Sequence, residues 1–516
     1  MKHIKKLASL LLVLVMVFAL ATTAFAEETT YSITINNSTA GHTYEAYQIF
    51  TGDLATNEAG NKVLSNIVWG SGVSEAGQTA LGDAAAKAET LKTEADAKAF
   101  AKAVAPYLTT AAGSADTVTD GKYVISGLAA GYYLVKDQDG SLTGDNDSYT
   151  EYIIQVVGNV TATPKSDVPE VQKKVKDIND STDTTKTDWQ DSADYDIGDS
   201  IPFQLKTTLA DNVSAYTTYK VVFHDTLSKG LTYNNDAKVY IDGTETNGFA
   251  VTATVNADGT TTLTVSCDDV KALGAGNSSV ITVEYTAKLN ENAVLGSAGN
   301  PNEVYLEYSN NPNKSEEGNN ETGETPKDVV IVFTYKTIIN KVDSENTPLT
   351  GAAFKLEKLI KGEDGAADTW TTVKEFTVDE TTTSFTFSGL DDGQYKLTET
   401  KTPAGYNTID PIYFVIEATH DETADAPTLK TLNAYLTDAN GNKQTKMKDG
   451  ESVNIDLGAV DLTAGSITTT VVNKSGSKLP STGGIGTTIF YVLGGVLVLA
   501  AVVLLVTKKR MSGAEK

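Results

Sequence analysis

Short runs of alternating apolar and polar residues, each closed by a turn signal, constrain this chain more than any other feature. Val251-Thr252-Ala253-Thr254-Val255 and Thr261-Thr262-Leu263-Thr264-Val265 flank Asn256-Ala257-Asp258-Gly259. That pattern predicts a β-hairpin, because strand side chains alternate between faces while Asn, Asp and Gly accept the backbone of a tight turn. Residues 280–285 and 303–308 read as further strands. Many short strands at such spacing predict a mainly β chain of tandem immunoglobulin-like β-sandwiches. One segment departs from this. Residues 74–112 are alanine-rich, with Ala, Leu and Lys at helical spacing, and predict two short helices inside the first domain.

Both ends stand outside the fold. Lys2, Lys5 and Lys6 precede an apolar stretch, and Ala24-Phe25-Ala26 supplies small residues before Glu27. That is the three-part pattern of a secretory signal peptide over residues 1–26. Residues 485–506 carry no charge and are followed by Lys508, Lys509 and Arg510. As a transmembrane helix this run would reach about 33 Å, enough to cross a bilayer, with the basic flank in the cytoplasm. The chain is therefore expected to be exported and held by its tail.

Proline-bracketed Thr163-Pro164-Lys165-Ser166-Asp167-Val168-Pro169 reads as one joint, and the polar stretch 310–327 as another. The expected domains are 27–165, 166–325 and 326–478, with a tail at 479–516. Acidic side chains number 67 against 41 basic, a formal charge of −26 that favours solubility and repels nucleic acid and anionic lipid. The single cysteine, Cys267, cannot form an internal disulfide. Covalent reinforcement of an exported chain must then come from elsewhere. A partial repeat links the outer domains: residues 388–397 echo residues 126–134, which suggests a shared topology.

Leu479, Pro480, Ser481, Thr482 and Gly483, followed by the apolar run and basic tail, resemble the LPxTG cell-wall sorting signal. The resemblance implies that a sortase cysteine attacks Thr482 and releases everything from Gly483 onward, so the chain is a substrate and not an enzyme. Thr163-Pro164-Lys165-Ser166 resembles a pilin motif, although Thr163 stands where the family often has an aromatic or apolar residue. Together these identify the chain with the sortase-assembled major (backbone) pilins of Gram-positive bacteria, the SpaA-type fimbrial subunits. The resemblance implies a class C-type pilus sortase, identical subunits joined Thr482 to Lys165, minor pilins, and anchoring to peptidoglycan by a housekeeping sortase. A wall-anchored adhesin is the competing reading.

Two domains carry motifs for self-cross-linking. Asn340-Lys341-Val342-Asp343, the E-box Tyr395-Lys396-Leu397-Thr398-Glu399-Thr400-Lys401 and Val471-Val472-Asn473-Lys474 make the third domain similar to a Cna-B-type domain. In that family the residues at Lys341 and Asn473 form an amide bond promoted by the acid at Glu399. Burial favours a neutral, nucleophilic amine, and a shielded acid can stay protonated and polarise the asparagine carbonyl. The middle domain resembles the D2-type isopeptide domain of fimbrial subunits. In Val171-Gln172-Lys173-Lys174-Val175 alternation turns Lys173 inward and Lys174 outward, and Asp225 shares a face with Val221 and Phe223. A Lys173–Asn302 bond with Asp225 as catalyst is expected, with Lys174 as the other candidate amine. In the first domain Asp137 aligns with Glu399, but the opening strand 31–37 has no lysine, so no bond is expected there.

No cofactor and no metal site are expected. The four histidines form no catalytic grouping, and His224 alternates outward. Asp137, Asp139, Asp145 and Asp147 lack EF-hand spacing and read as a solvated turn.

Overall fold

The computed structural model describes residues 30–56, 62–144, 146–150, 152–156, 159–164, 167–182, 188–362 and 366–476, with positions 493, 497, 498, 502 and 503. The signal peptide, Lys165, the sorting motif 479–483 and nearly all of the run 485–506 lie outside the described residues. Among those described, no helix is long and apolar enough to cross a membrane.

The first domain packs two sheets. Strand Tyr31–Asn36 runs antiparallel to Lys122–Leu128 and parallel to Val160–Ala162. Facing it are Lys62–Trp69, Tyr44–Thr56, Tyr132–Asp137 and Ile153–Val156 in that order. Three helices, not the expected two, interrupt the strands: Glu75–Leu81, Ala84–Glu89 and Glu94–Val104. Gly82, at φ +88°, stops the first, and the Asp83 side chain caps the second by accepting from Ala86 N. Thr93 and Asp96 form a capping box for the third. The helices pack through Phe100, whose ring stacks on Phe50 at 5.4 Å.

In the middle domain one sheet orders Ser192–Asp194, Asp328–Phe333, Asn300–Ser309, Val221–Leu227, Thr261–Cys267 and Ala250–Val255. The other orders Thr244–Thr246, Lys238–Ile241, Val280–Leu289, Ser200–Thr208 and Glu170–Val175. The expected hairpin is present, with Val251 opposite Val265. Phe203, Phe223, Val265, Val283 and Leu306 fill the space between the sheets, and Cys267 is buried among them.

Strand Asp328–Phe333, placed in the third domain by the sequence reading, pairs with Asn300–Ser309 and Ser192–Asp194. By hydrogen bonding it belongs to the middle sheet, and the chain changes sheet at Thr334. The polar stretch 310–327 is an excursion between paired strands rather than the joint itself.

In the third domain Tyr335–Val342 runs antiparallel to Ser384–Leu390 and parallel to Ser466–Val472. This is the pairing of Tyr31–Asn36 in the first domain, so the outer domains share that topology. The facing sheet orders Thr369–Glu375, Ala353–Ile360, Gly393–Lys401, Ile412–His420 and Leu429–Thr437.

Candidate cross-linking sites

Alternation along Glu170–Val175 buries Lys173 and Val175 and leaves Lys174 outward, where it pairs with Asp191. On the opposite sheet the same rule turns Asp225 and Asn302 into the core, each fully buried beside Phe223 and Val304. Lys173 Nζ donates to Asp225 Oδ1 and, at 3.2 Å, to the Tyr285 hydroxyl. That hydroxyl donates to Asp225 Oδ2 at 2.5 Å and accepts from Asn302 Nδ2 at 2.7 Å. One donor and two acceptor lone pairs are thus all used, and the phenol touches amine, acid and amide at once.

Burial lowers the Lys173 amine below the ordinary lysine range, opposed by Asp225. It raises the Asp225 carboxyl, opposed by Lys173. Both shifts favour an amine–acid pair with no net charge separation, because isolated ions are poorly tolerated out of water. Tyr285 is held well above the ordinary phenol range by burial and by Asp225, so its proton stays in place. Asn302 Oδ1 is buried with no hydrogen-bond partner, a cost of about 1–3 kcal/mol unless chemistry relieves it.

In the third domain Lys341 is the penultimate residue of the strand Tyr335–Val342, directly beside Val471 of the parallel final strand. It is fully buried, makes no ion pair among the described residues, and donates to Val342 O at 3.1 Å and Val471 O at 3.0 Å. Burial lowers its pKa, opposed by Glu399. Asn473, one residue past the last strand, donates Nδ2 to Glu399 Oε2 at 3.1 Å and to Asn407 O at 2.9 Å. The amide nitrogen, not the expected carbonyl, faces the acid. Glu399 Oε1 and Asn473 Oδ1 are both buried without a partner.

The first domain fills the corresponding place differently. Asp137 is buried, as Glu399 is, but its Oδ1 lies 2.7 Å from His42 Nδ1 and its Oδ2 accepts from Thr150 N at 2.7 Å. It is therefore not part of a solvated turn. By strand register Asn37 stands where Lys341 stands, and it donates to the Tyr44 hydroxyl at 2.8 Å. His224 points outward as expected but is paired: its Nε2 lies 3.0 Å from Glu307 Oε2, and its ring stacks on Tyr305.

Tyr285 is the participant that sequence reasoning missed. The available signal was a polar ring on the inward face between Val283 and Ala287, opposite Phe203.

Three family models match the chain. Residues 197–312 match the Gram-positive pilin backbone subunit 2, Cna-B-like domain; residues 336–431 match the SpaA prealbumin-like fold domain; residues 471–512 match the LPXTG cell wall anchor motif. The Cna-B-like description thus falls on the middle domain and the prealbumin-like one on the third. The trypsin-resistant surface T6 protein of Streptococcus pyogenes serotype M6 is 25% identical over 448 residues, covering 76% of this chain and 77% of that protein. The solved T6 backbone pilin of serotype M6 Streptococcus pyogenes, described as a modular three-domain structure, has a TM-score of 0.56 at 19% identity, covering 88% of this chain and 100% of that one. The full-length major pilin SpaD from Corynebacterium diphtheriae has a TM-score of 0.49 at 18% identity, covering 88% and 99%.

These matches define a pilus protein of the backbone type, built of tandem prealbumin-like and Cna-B-like domains ahead of a wall anchor. The chain is a major subunit of a Gram-positive surface pilus: secreted, anchored to the cell wall, and a structural substrate of sortase.

Proposed function

We propose that this subunit is polymerised head to tail by a class C-type pilus sortase and reinforced by two internal Lys–Asn isopeptide bonds. The sortase cysteine takes the Thr482 acyl group from Gly483 and hands it to the Lys165 amine of the next subunit. The contact is heterologous and does not close, which is the geometry of a filament. A housekeeping sortase then passes the basal subunit to peptidoglycan, and minor pilins join through the same chemistry.

The internal bonds follow from the buried constellations. Neutral Lys173 Nζ attacks Asn302 Cγ, and protonated Asp225 hydrogen-bonds the carbonyl that becomes anionic. The carboxyl then relays a proton from the amine to Nδ2, the Cγ–Nδ2 bond breaks, and ammonia leaves. Lys341, Glu399 and Asn473 play the same parts in the third domain after the Asn473 amide turns its carbonyl toward the acid. The observation that carries the reading is the Tyr285 hydroxyl, which gathers nucleophile, acid and leaving nitrogen within hydrogen-bond reach in a core without water access.

The test is intact mass and junction mapping. The mature chain should lack two ammonias, one restored by Asp225→Ala and one by Glu399→Ala. Lys165→Ala should abolish the high-mass ladder in cell-wall extracts. A full, unreduced mass would remove the internal bonds, and a ladder that survives Lys165→Ala would remove the proposed junction.

A further inference from the structure

Strand Ser192–Asp194 of the middle sheet meets the turn between Ser384–Leu390 and Gly393–Lys401 of the third domain. Asp177, Asp180, Asp194, Asp196, Asp199, Asp391 and Asp392 gather there, paired among the described residues with two cationic side chains. Lys358 Nζ lies 2.6 Å from Asp196 Oδ2, 3.0 Å from Asp391 Oδ2 and 3.5 Å from Asp180 Oδ2. His420 Nε2 lies 3.4 Å from Asp177 Oδ2 and 3.8 Å from Asp194 Oδ1, with Nδ1 2.7 Å from Ser192 Oγ. Two positive charges cannot balance so many carboxylates, and uncompensated charge in a buried joint is costly.

Three of these residues stand apart. Asp194 is 2% exposed and Asp391 fully buried, and each has a carboxylate oxygen within 4.8 Å of the other's and of one from Asp392. Asp194 Oδ2 is buried with no hydrogen-bond partner. We propose that Asp194, Asp391 and Asp392 bind one hard divalent cation, calcium, that pins the second domain to the third.

Three arguments support the assignment. The donors are all carboxylate oxygens, which suit calcium or magnesium rather than a softer metal. Magnesium usually keeps several waters and takes only one or two carboxylates, whereas calcium accepts six to eight oxygens in a flexible shell, so three converging protein carboxylates favour calcium. The carboxylates are already oriented by neighbours: Asp392 N donates to Asp391 Oδ1 at 2.7 Å, Asn179 Nδ2 to Asp392 Oδ1 at 2.5 Å, and His420 faces Asp194 Oδ1. Such outer contacts hold ligands in place while leaving further lone pairs for the metal. Because one ligand lies on a middle-domain strand and two on a third-domain turn, the ion would set the angle between the domains. The inference does not depend on the isopeptide bonds.

The test is calorimetric titration of the full-length chain, purified in detergent and stripped with EDTA, with calcium chloride and separately with magnesium chloride. One calcium per chain is expected, with Kd in the range of about 10⁻⁵–10⁻³ M, and magnesium weaker. Asp194→Asn and Asp392→Asn should each weaken calcium about 10–100-fold. Asp392→Asn, on the turn, serves alone if Asp194→Asn fails to fold. Absence of calcium binding up to millimolar concentrations, tighter binding of magnesium, or unchanged affinity in Asp392→Asn would overturn the proposal.

Discussion

Glu399→Gln separates the chemistry of the third-domain cross-link from the architecture around it. Glutamine keeps the side-chain volume and an acceptor oxygen for Thr402 Oγ1 and Ile409 N, which now donate to Glu399 Oε2 at 3.0 and 3.3 Å. The direct loss is then about 1 kcal/mol, that of an ordinary hydrogen bond. What disappears is the acid. Without it the Lys341 amine and Asn473 amide stay unlinked, and the variant should keep the one ammonia that the parent loses, once the mass change of the substitution itself is subtracted. The loop between them holds about 130 residues, for which the cross-link entropy estimate gives about 5 kcal/mol. In a domain of this size that lowers the unfolding temperature by about 10–20 °C. Intact mass and scanning calorimetry on the same preparation read both effects: one transition should fall while the middle-domain transition stays. A variant that has lost the same ammonia as the parent, or one that keeps it without a fall in that transition, would refute the reasoning.

Three further outcomes are expected. Tyr285→Phe should slow formation of the middle-domain bond about 100-fold, followed by intact mass during refolding, because amine and amide lose their shared partner. His224, together with Lys220, holds the Glu307 carboxyl down to about 2 from 4.5, so this group contributes stability above pH 4.5 that is lost as pH falls toward 2. The loss is at most about 3 kcal/mol before solvent screening, and Glu307→Gln should flatten that part of a urea-unfolding pH series. Pulling the chain between positions 165 and 482 should extend only the segment after Asn302 in the middle domain, about 100 Å, whereas Glu399→Gln should release several hundred ångströms more.

Much of the site was legible because strands announce their faces. Lys173 sits two residues from Val171 and Val175, and Asp225 two from Phe223, so period-two alternation alone put amine and acid inside. Alternation does not say which strands face each other across the sandwich. Tyr285 therefore went unnoticed, since its role exists only where Val280–Leu289 of one sheet confronts Asn300–Ser309 of the other. The aspartate cluster was hidden for the same reason: Asp194 and Asp391 are far apart in sequence and meet only after two domains dock. Gly82-Asp83 is both a stop and a new cap, so alanine content alone does not separate the first two of the three helices. The polar stretch before strand Asp328–Phe333 resembles a linker and so points the strand to the third domain, while its hydrogen bonds run back to Asn300–Ser309.

The distribution of the proposed cross-links matches the path that tension would take through the proposed fibre. Force from a neighbour's Thr482 enters at Lys165, after the first domain, and leaves at the subunit's own Thr482. The first domain hangs beside that path, so a noncovalent His42–Asp137 contact at the equivalent place is sufficient there. The third domain is entered by Tyr335–Val342 and left by Ser466–Val472, which lie side by side in parallel. A bond from Lys341 to Asn473 spans those two strands near their exits, so tension bypasses everything folded between them. In the middle domain the bond would leave residues 303–333 in the path, held by antiparallel pairing of Asn300–Ser309 with Asp328–Phe333. That stretch ends at Thr334, beside the aspartate cluster. A cation linking Asp194 to Asp391 and Asp392 would therefore brace the chain at the point where the covalent route is interrupted.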